Sequence, residues 1–474
     1  MVTSTDKTVA TPSDIQSAVA ERAELPRTLA GGTRSMRAAG SKYLPKMQAE
    51  TTDAYNLRLN QSTLFNAFSK TVEDMTGKVF SKPIVLKDNV PAQIKTFAED
   101  IDRAGRHINV FARDVFRAAM VPGISFILVD MPPQVTREDG RPATVADERA
   151  AGIRPYLVHI PLERLLGWKS ETIEGVEALT QVRILEYVSE PDGEFHEVEI
   201  EQIRVIEPGT WRTFRKAVSG DKSGEWVENA DGKSSLNKVT LVPVYTNRTG
   251  FMTGTPPLEK LAEVNVAHWQ SASDQRHILH FARVPVVYAM GFGADAEIVI
   301  GPNTMIRSDD PKSKIGILEH TGAAIKAGRD DIKDLEFQMQ AMGLQLLVPN
   351  PGQSATGEIR DDSKENSPLA MMAMSLGDAI EQVLGFMAEY TGLGADAGGE
   401  VEVNTDFGIK AGALVDVPNI INAQSSGLIS RDTAWTELQR RGFLSESFDP
   451  EVEAARVAAE APELDSNDPL DMGE

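Results

Sequence analysis

The chain contains no cysteine among its 474 residues. That excludes disulfide scaffolds, cysteine nucleophiles, thiolate zinc sites and iron–sulfur clusters, and it fits a reducing compartment. Aromatic residues are scarce at 6 %, yet apolar residues reach 41 %, which excludes wholesale disorder. Basic residues are outnumbered, with 48 Lys and Arg against 70 Asp and Glu, a formal net charge of −22. A chain this negative is a poor tight binder of nucleic-acid phosphate, because that affinity comes from Lys and Arg. Met1 to Glu24 lacks the basic-then-apolar pattern of a signal peptide, and no run of uninterrupted apolar residues has bilayer-spanning length. There is no Walker-type phosphate loop, HExxH, GxSxG or EF-hand loop. Nothing in the motifs calls for catalysis or a cofactor.

The length is enough for two or more domains. Met1 to Glu24 is polar and reads as an arm or a loosely held helix. A helical pattern follows from Thr51 through Leu57, Leu64, Phe68 and Val72, with Gly77 as its breaker. Residues 88–130 read as helix, helix, buried strand: Pro91 opens the first helix, Asn109 caps the second, and Ile124 to Val129 is the strand. Residues 155–245 carry strand-like runs separated by turn signals at Pro191-Asp192-Gly193, Ser219-Gly220-Asp221 and Ala230-Asp231-Gly232. They predict one antiparallel meander with a wet face bearing Glu197, Glu199 and Glu201.

After Thr255-Pro256-Pro257 a helix is expected to about Ala282, roughly 40 Å long. Leu258, Leu261, Trp269, Ala272 and Leu279 lie loosely on one side. Asn265, His268, Gln270, Ser271, Ser273, Asp274, Gln275 and His277 cover the rest. Such a helix is expected to face solvent or to pack against copies of itself. Short strands are predicted at Val284 to Met290, Glu297 to Ile300, Thr304 to Arg307 and Lys314 to Leu318. A helix with one apolar face (Ile332, Leu335, Met339, Met342, Leu346) follows from about Arg329 to Leu347. Val348 to Ser354 is a breaker loop, and Ala355 to Asn366 a polar helical stretch. Ser367-Pro368 then restarts or kinks a helix that Gly392 ends. Ser430 caps a further helix with Trp435. Ser445 to Glu474 holds ten acids against Arg456, a solvated acidic end.

Several stretches, in order, resemble the portal proteins (head-to-tail connectors) of tailed bacteriophages. They are Phe111 and Val115 with Gly123-Ile124-Ser125-Phe126-Ile127-Leu128-Val129-Asp130-Met131-Pro132; Pro161 to Trp168; Pro257 to Asn265 with Trp269 to Asp274; Ser354 to Arg360 with Ser367-Pro368-Leu369 and the helix to Gly392; and Gly427-Leu428-Ile429-Ser430 with Thr433. Gly357 and Pro368 depart from the usual pattern of that family.

The resemblance implies an α+β, mainly helical fold with wing, two-helix stem, clip insertion, tunnel loop with kinked helix, and small helical crown. It divides the chain into an N-terminal arm (1–50), a wing (51–254, its meander about 155–245), stem helix 1 (255–282), clip (283–322), stem helix 2 (323–347), tunnel loop (348–355), kinked helix (356–392), C-terminal wing and crown (393–458) and acidic tail (459–474). It further implies a homo-oligomeric ring, a dodecamer in most relatives, at one vertex of a virion assembled in the host cytoplasm. The ring would pass double-stranded DNA without sequence specificity. Its partners would be the major capsid protein, the terminase large subunit and head-completion adaptor or tail proteins, with no membrane and no cofactor. Gln353, Ser354, Thr356, Arg360 and Lys364 are then the DNA-proximal candidates, and Asp309, Asp310, Lys312 and Lys314 the clip docking candidates. Two other readings compete. One is a different virion structural protein, such as a capsid or tail component. The other is a metal-dependent enzyme using His268, His277 and His280, of which His277 and His280 are three apart on one helix.

Overall fold

The computed structural model describes residues 7–132, 152–219, 223–282, 286–291, 312–318, 322–346, 367–407, 420–440 and 452–453. The chain divides into two units, Met1–Thr405 and Asp406–Glu474.

The first unit starts with α1 (Asp14–Arg22), α2 (Glu24–Ala30) and α3 (Gly32–Ala39). The Ser13 hydroxyl caps α1 by accepting from the Gln16 amide. Residues 9–16 are not a free arm. The Arg183 guanidinium donates to the carbonyls of Val9 and Thr11, both at 2.7 Å. The buried Gln16 side chain donates to the Leu162 carbonyl at 2.7 Å. The polarity of this segment serves long-range bonding: Arg183 of a later sheet binds its backbone, and Gln16 binds the Leu162 carbonyl in the turn at Leu162–Arg164.

Next come α4 (Thr52–Gln61) and α5 (Ala67–Val79), separated at Ser62–Asn66, where the Asn66 side chain caps α5. The break therefore falls before Phe68, and Gly77 lies inside α5. After β1 (Val85–Leu86) come α6 (Ala92–Ala98) and α7 (Ile108–Ala119). His107 caps α7, while Asn109 binds the Ile84 amide at 2.7 Å.

The expected single meander is two sheets. β2 (Ile124–Asp130) is buried along its whole length, between β3 (Tyr156–Ile160) and β9 (Leu241–Tyr245), both antiparallel to it. A separate five-stranded antiparallel sheet runs in chain order through β4 (Leu165–Ile173), β5 (Val176–Asp192), β6 (His196–Glu207), β7 (Thr210–Lys216) and β8 (Trp226–Lys233). Ala230-Asp231-Gly232, read as a turn, is part of β8. Trp211 packs flat on Gly232, and a Cβ there would approach its ring to 2.5 Å. Phe126, Leu128, Ile160, Leu165, Val182 and Ile184 share one core between the two sheets.

An ion pair also crosses that junction. Arg204 of β6 grips Asp130 of β2 with both nitrogens, at 2.7 and 2.9 Å, and Tyr156 donates to the same carboxylate at 3.0 Å. Burial pushes the Tyr156 hydroxyl up to about 12, so it stays a donor. Asp130→Ala would leave the largely buried Arg204 guanidinium with only the more distant Glu186 carboxylate, at 3.7 Å, and removing one member of a buried pair costs up to about 3–5 kcal/mol. The expected result is a clear drop in the thermal midpoint, whereas Asp130→Asn, which keeps a hydrogen-bonding side chain, should lose less.

Short strands β10 (Arg248–Gly250) and β11 (Thr253–Gly254) lead into α8 (Glu259–Ala282). β12 (Val286–Met290) and β13 (Lys314–Leu318) pair antiparallel, and α9 (Ala323–Leu344) returns alongside α8. α10 (Pro368–Tyr390) begins at a Ser367 cap with Pro368 in its first turn, and Gly392 ends it at φ 77°. This helix is long and apolar enough to cross a membrane by length and composition, although Asp378 and Glu381 interrupt its apolar residues. Leu369, Ala373, Leu376, Ile380, Val383, Leu384 and Met387 are buried in the chain's own core, and β14 (Val401–Glu402) follows it to pair with β1. The fold class is α+β, as expected.

In the second unit, residues 420–425 are helical and α11 (Arg431–Arg440) follows. The Ser430 hydroxyl accepts from the Thr433 amide at 3.1 Å, the cap expected there.

Candidate functional site

The feature that organises the first unit is the hairpin made by α8, β12, β13 and α9. Its helices run antiparallel, since Gln275 near the end of α8 meets Ile325 near the start of α9, while His268 earlier in α8 meets Glu336 later in α9. The strand pairing from Val286↔Leu318 to Met290↔Lys314 continues the same antiparallel course.

The two helices are held differently. α8 is anchored in this chain. Trp269 is fully buried. Asn265, also fully buried, accepts from the Phe68 amide at 3.0 Å and donates to the Phe65 carbonyl at 2.8 Å, so it bridges the turn before α5. Ser273 bonds Ser62 at 2.9 Å, and Gln275 donates to the Ile325 carbonyl at 2.8 Å. The expectation that this helix faces solvent or copies of itself is thus corrected for Leu258 to Gln275. Its polar side chains serve the chain's own helices. Asn265 falls in phase with Leu258, Leu261 and Trp269, and that phase was the available signal.

α9 is held along one side. Met339 and Leu346 are buried and Ile332, Leu335 and Met342 half-buried, which is the apolar face read from the spacing. The other side is open: Phe337 is 72 % and Leu344 56 % exposed, seven apart on one stripe with Asp330, Lys333 and Ala341. Phe337 and Leu344 fall out of phase with the regular apolar face, so its spacing does not mark them.

A buried charge cluster braces α8 against α4. Arg58, its side chain only 3 % exposed, makes paired bonds to Glu50 at 2.8 Å each and a third to the Pro45 carbonyl at 2.8 Å. Its remaining nitrogen lies 3.4 Å from Ser273 and 3.6 Å from Asp274. Hydrogen bonding from Arg58 holds the Glu50 carboxyl near 2, well below its ordinary range. Burial pushes Asp274 up. A small recess beside the cluster is lined by Arg58, Gln61, Ser62, Ser273, Arg276 and His277.

Of the clip candidates, Lys312 and Lys314 are exposed at the far end of the β12–β13 ladder, where Ser313 donates to the Gly291 carbonyl at 2.8 Å. Asp309 and Asp310 lie outside the described residues, as do Gln353, Ser354, Thr356, Arg360 and Lys364. The three histidines of α8 diverge: His268 is buried and faces Glu336 at 3.4 Å, His277 borders the recess and His280 is exposed. Among the described residues, no group of three or more His, Asp or Glu is placed to hold a metal ion.

Residues 257–391 match a family model described as a domain of unknown function, DUF4055. That span runs from the start of α8 to the end of α10. No curated protein matches the chain. Among solved structures it is similar to a chain of the neck of the native GTA particle computed with C12 symmetry (11 % identity, 84 % of this chain and 90 % of that chain, TM-score 0.39). It is also similar to a chain of the neck of the empty GTA particle computed with C6 symmetry (11 % identity, 82 % and 89 %, TM-score 0.38). A third is a chain of the virion of the native gene transfer agent particle (12 % identity, 87 % and 96 %, TM-score 0.38).

Proposed function

We propose that the chain is the repeating subunit of a closed ring at one vertex of a tailed-phage-type capsid, a portal through which double-stranded DNA is packaged and ejected. In this reading α8 and α9 are the stem, β12 and β13 with the residues between them are the clip where terminase and then head-completion or tail proteins dock, and residues 348–355 are the tunnel loop. The observation that carries it is the asymmetry of the α8–α9 hairpin. One helix is fixed in its own subunit, and the other keeps an open face bearing Phe337 and Leu344. A helix supported on one side needs a second surface, and a neighbouring copy supplies it when identical subunits meet head to tail and close. The order of portal-like segments along the sequence supports the same reading. So does the net charge of −22. Cations on a channel wall add affinity for phosphate and with it friction, so a net-negative ring lets a duplex slide.

The test is Phe337→Glu, read by solution mass. The unaltered chain should form a large closed oligomer. The variant should fall to small species with an unchanged helical signal, because the side chain contributes little to its own subunit. A chain that stays monomeric at every concentration tried, or a variant that assembles as the parent does, contradicts the proposal.

A further inference from the structure

The five-stranded sheet is not flush at its edges. β4 stops pairing with β5 at Leu165↔Ile184, and β7 stops pairing with β6 at Gln202↔Arg215. Beyond those points, residues 187–192 and 196–201 pair in the ladder with each other, from Tyr187↔Glu201 out to Asp192↔His196. They form a two-stranded ribbon about 20 Å long that projects past both neighbours. Among the described residues, no further strand pairs with its edges, which leaves backbone N–H and C=O groups as the ordinary template for addition of another strand.

The side chains on the ribbon narrow the choice of partner. Phe195 at its turn is 83 % exposed, and Tyr187 and Val198 are each 45 % exposed. A large aromatic this open gains by being covered, at about 25 cal/mol per Å² of apolar surface. Two carboxylates of the ribbon already have cations: Glu190, opposite Val198, pairs with Arg215 at 2.6 Å, and Glu201 pairs with Lys216 at 2.8 Å. Asp192, Glu194, Glu197 and Glu199, around Phe195, are exposed and have no cation partner among the described residues. A second copy laid along this edge would set glutamate against glutamate, on a chain already at −22. An extended segment bearing Lys or Arg would meet complementary charge at Glu197 and Glu199 instead.

We propose that the free edge at residues 196–201 is a docking site for an extended, lysine- or arginine-bearing segment of a different protein, which adds as a strand and seats an apolar side chain against Phe195. The inference does not depend on the ring reading, since the ribbon at residues 187–201 shares no residue with α8 or α9.

The test uses the full chain and two labelled ten-residue peptides, one of alternating lysine and valine and one of alternating glutamate and valine. Fluorescence anisotropy gives binding, and hydrogen exchange gives its location. The lysine–valine peptide should bind in a salt-sensitive way and slow exchange at residues 196–201, while the glutamate–valine peptide should not bind. Phe195→Ser, which keeps the charge, and the double change Glu197→Gln, Glu199→Gln, which keeps the aromatic, should each weaken binding by about fivefold or more. Both alter exposed side chains, so folding is not at risk. No binding of the lysine–valine peptide, equal binding by Phe195→Ser, or protection confined to the acidic residues 445–474 would overturn the proposal.

Discussion

Replacing Arg58 by Met should cost the fold about 3–5 kcal/mol at neutral pH, and the deficit should shrink as the solution is made acid. The guanidinium is buried and shared among Glu50, the Pro45 carbonyl, Ser273 and Asp274. Methionine fills much of the same volume but leaves Glu50, its side chain 5 % exposed, as a carboxylate with its main cation gone. The pH dependence follows from linkage. Glu50 titrates near 2 in the folded chain against an ordinary 4.5. A depressed carboxyl stabilises the fold fully above its unfolded value, and that contribution fades as pH falls from about 4.5 toward 2. In the variant the main cause of the depression is gone and only the Met47 amide and His277 still favour the carboxylate, so it has much less of this contribution to lose. Urea midpoints measured from neutral pH down to about pH 3 should therefore converge. A gap that stays constant across that range would mean that Arg58 acts through packing alone.

Gly123→Ala should be comparably damaging, for a steric reason. Gly123 sits at φ 94° between α7 and β2, and a Cβ there would lie 2.0 Å from the Thr255 carbonyl oxygen and 2.4 Å from its carbon. The obstacle is backbone, so no side chain can move aside. The same glycine receives the Thr246 and Asn247 amides on its carbonyl, at 3.0 and 3.2 Å, and donates its own amide to Ala119 at 2.8 Å. It thus fixes where the chain enters α8. Positive φ and the forced displacement each cost about 1–3 kcal/mol. Gly175→Ala is the control. Its φ is 84°, but nothing lies within 4 Å of the added carbon, so only the conformational cost applies. Thermal midpoints should rank the parent first, Gly175→Ala a little below and Gly123→Ala far below. Equal losses for the two variants would mean that the approach to Thr255 relaxes freely.

The sequence carried the local elements well where one face met one core. The apolar side of α9, the buried run of β2, the Ser367-Pro368 start of α10 and the Ser430 cap all follow from spacing or cap chemistry. It failed where polar side chains serve distant backbone. Asn265 looks like a surface residue until the Phe65 carbonyl and Phe68 amide are known to face it. The docking of residues 9–16 through Gln16 and Arg183 is equally invisible, because its partners lie about 150 positions away or more. The division of residues 155–245 into two sheets was hidden because β2, from earlier in the chain, captures β3 and β9. Arg58 and Glu50 are only eight apart, yet nothing in their spacing marks the pair as buried. At the candidate site, the hairpin and its exposed lysines were legible. The open stripe at Phe337 and Leu344 was not, since single exposed apolar residues out of phase are ordinary on any helix.

In the proposed ring, α8 and α9 act as paired struts around an axis shared by many copies. End-on electron micrographs of the purified full-length chain test it most directly. The expected images are closed rings with a central opening wide enough for a B-form duplex, with the α8–α9 hairpins arranged about it. Isolated subunits, or shells and sheets with no axial opening, would contradict it.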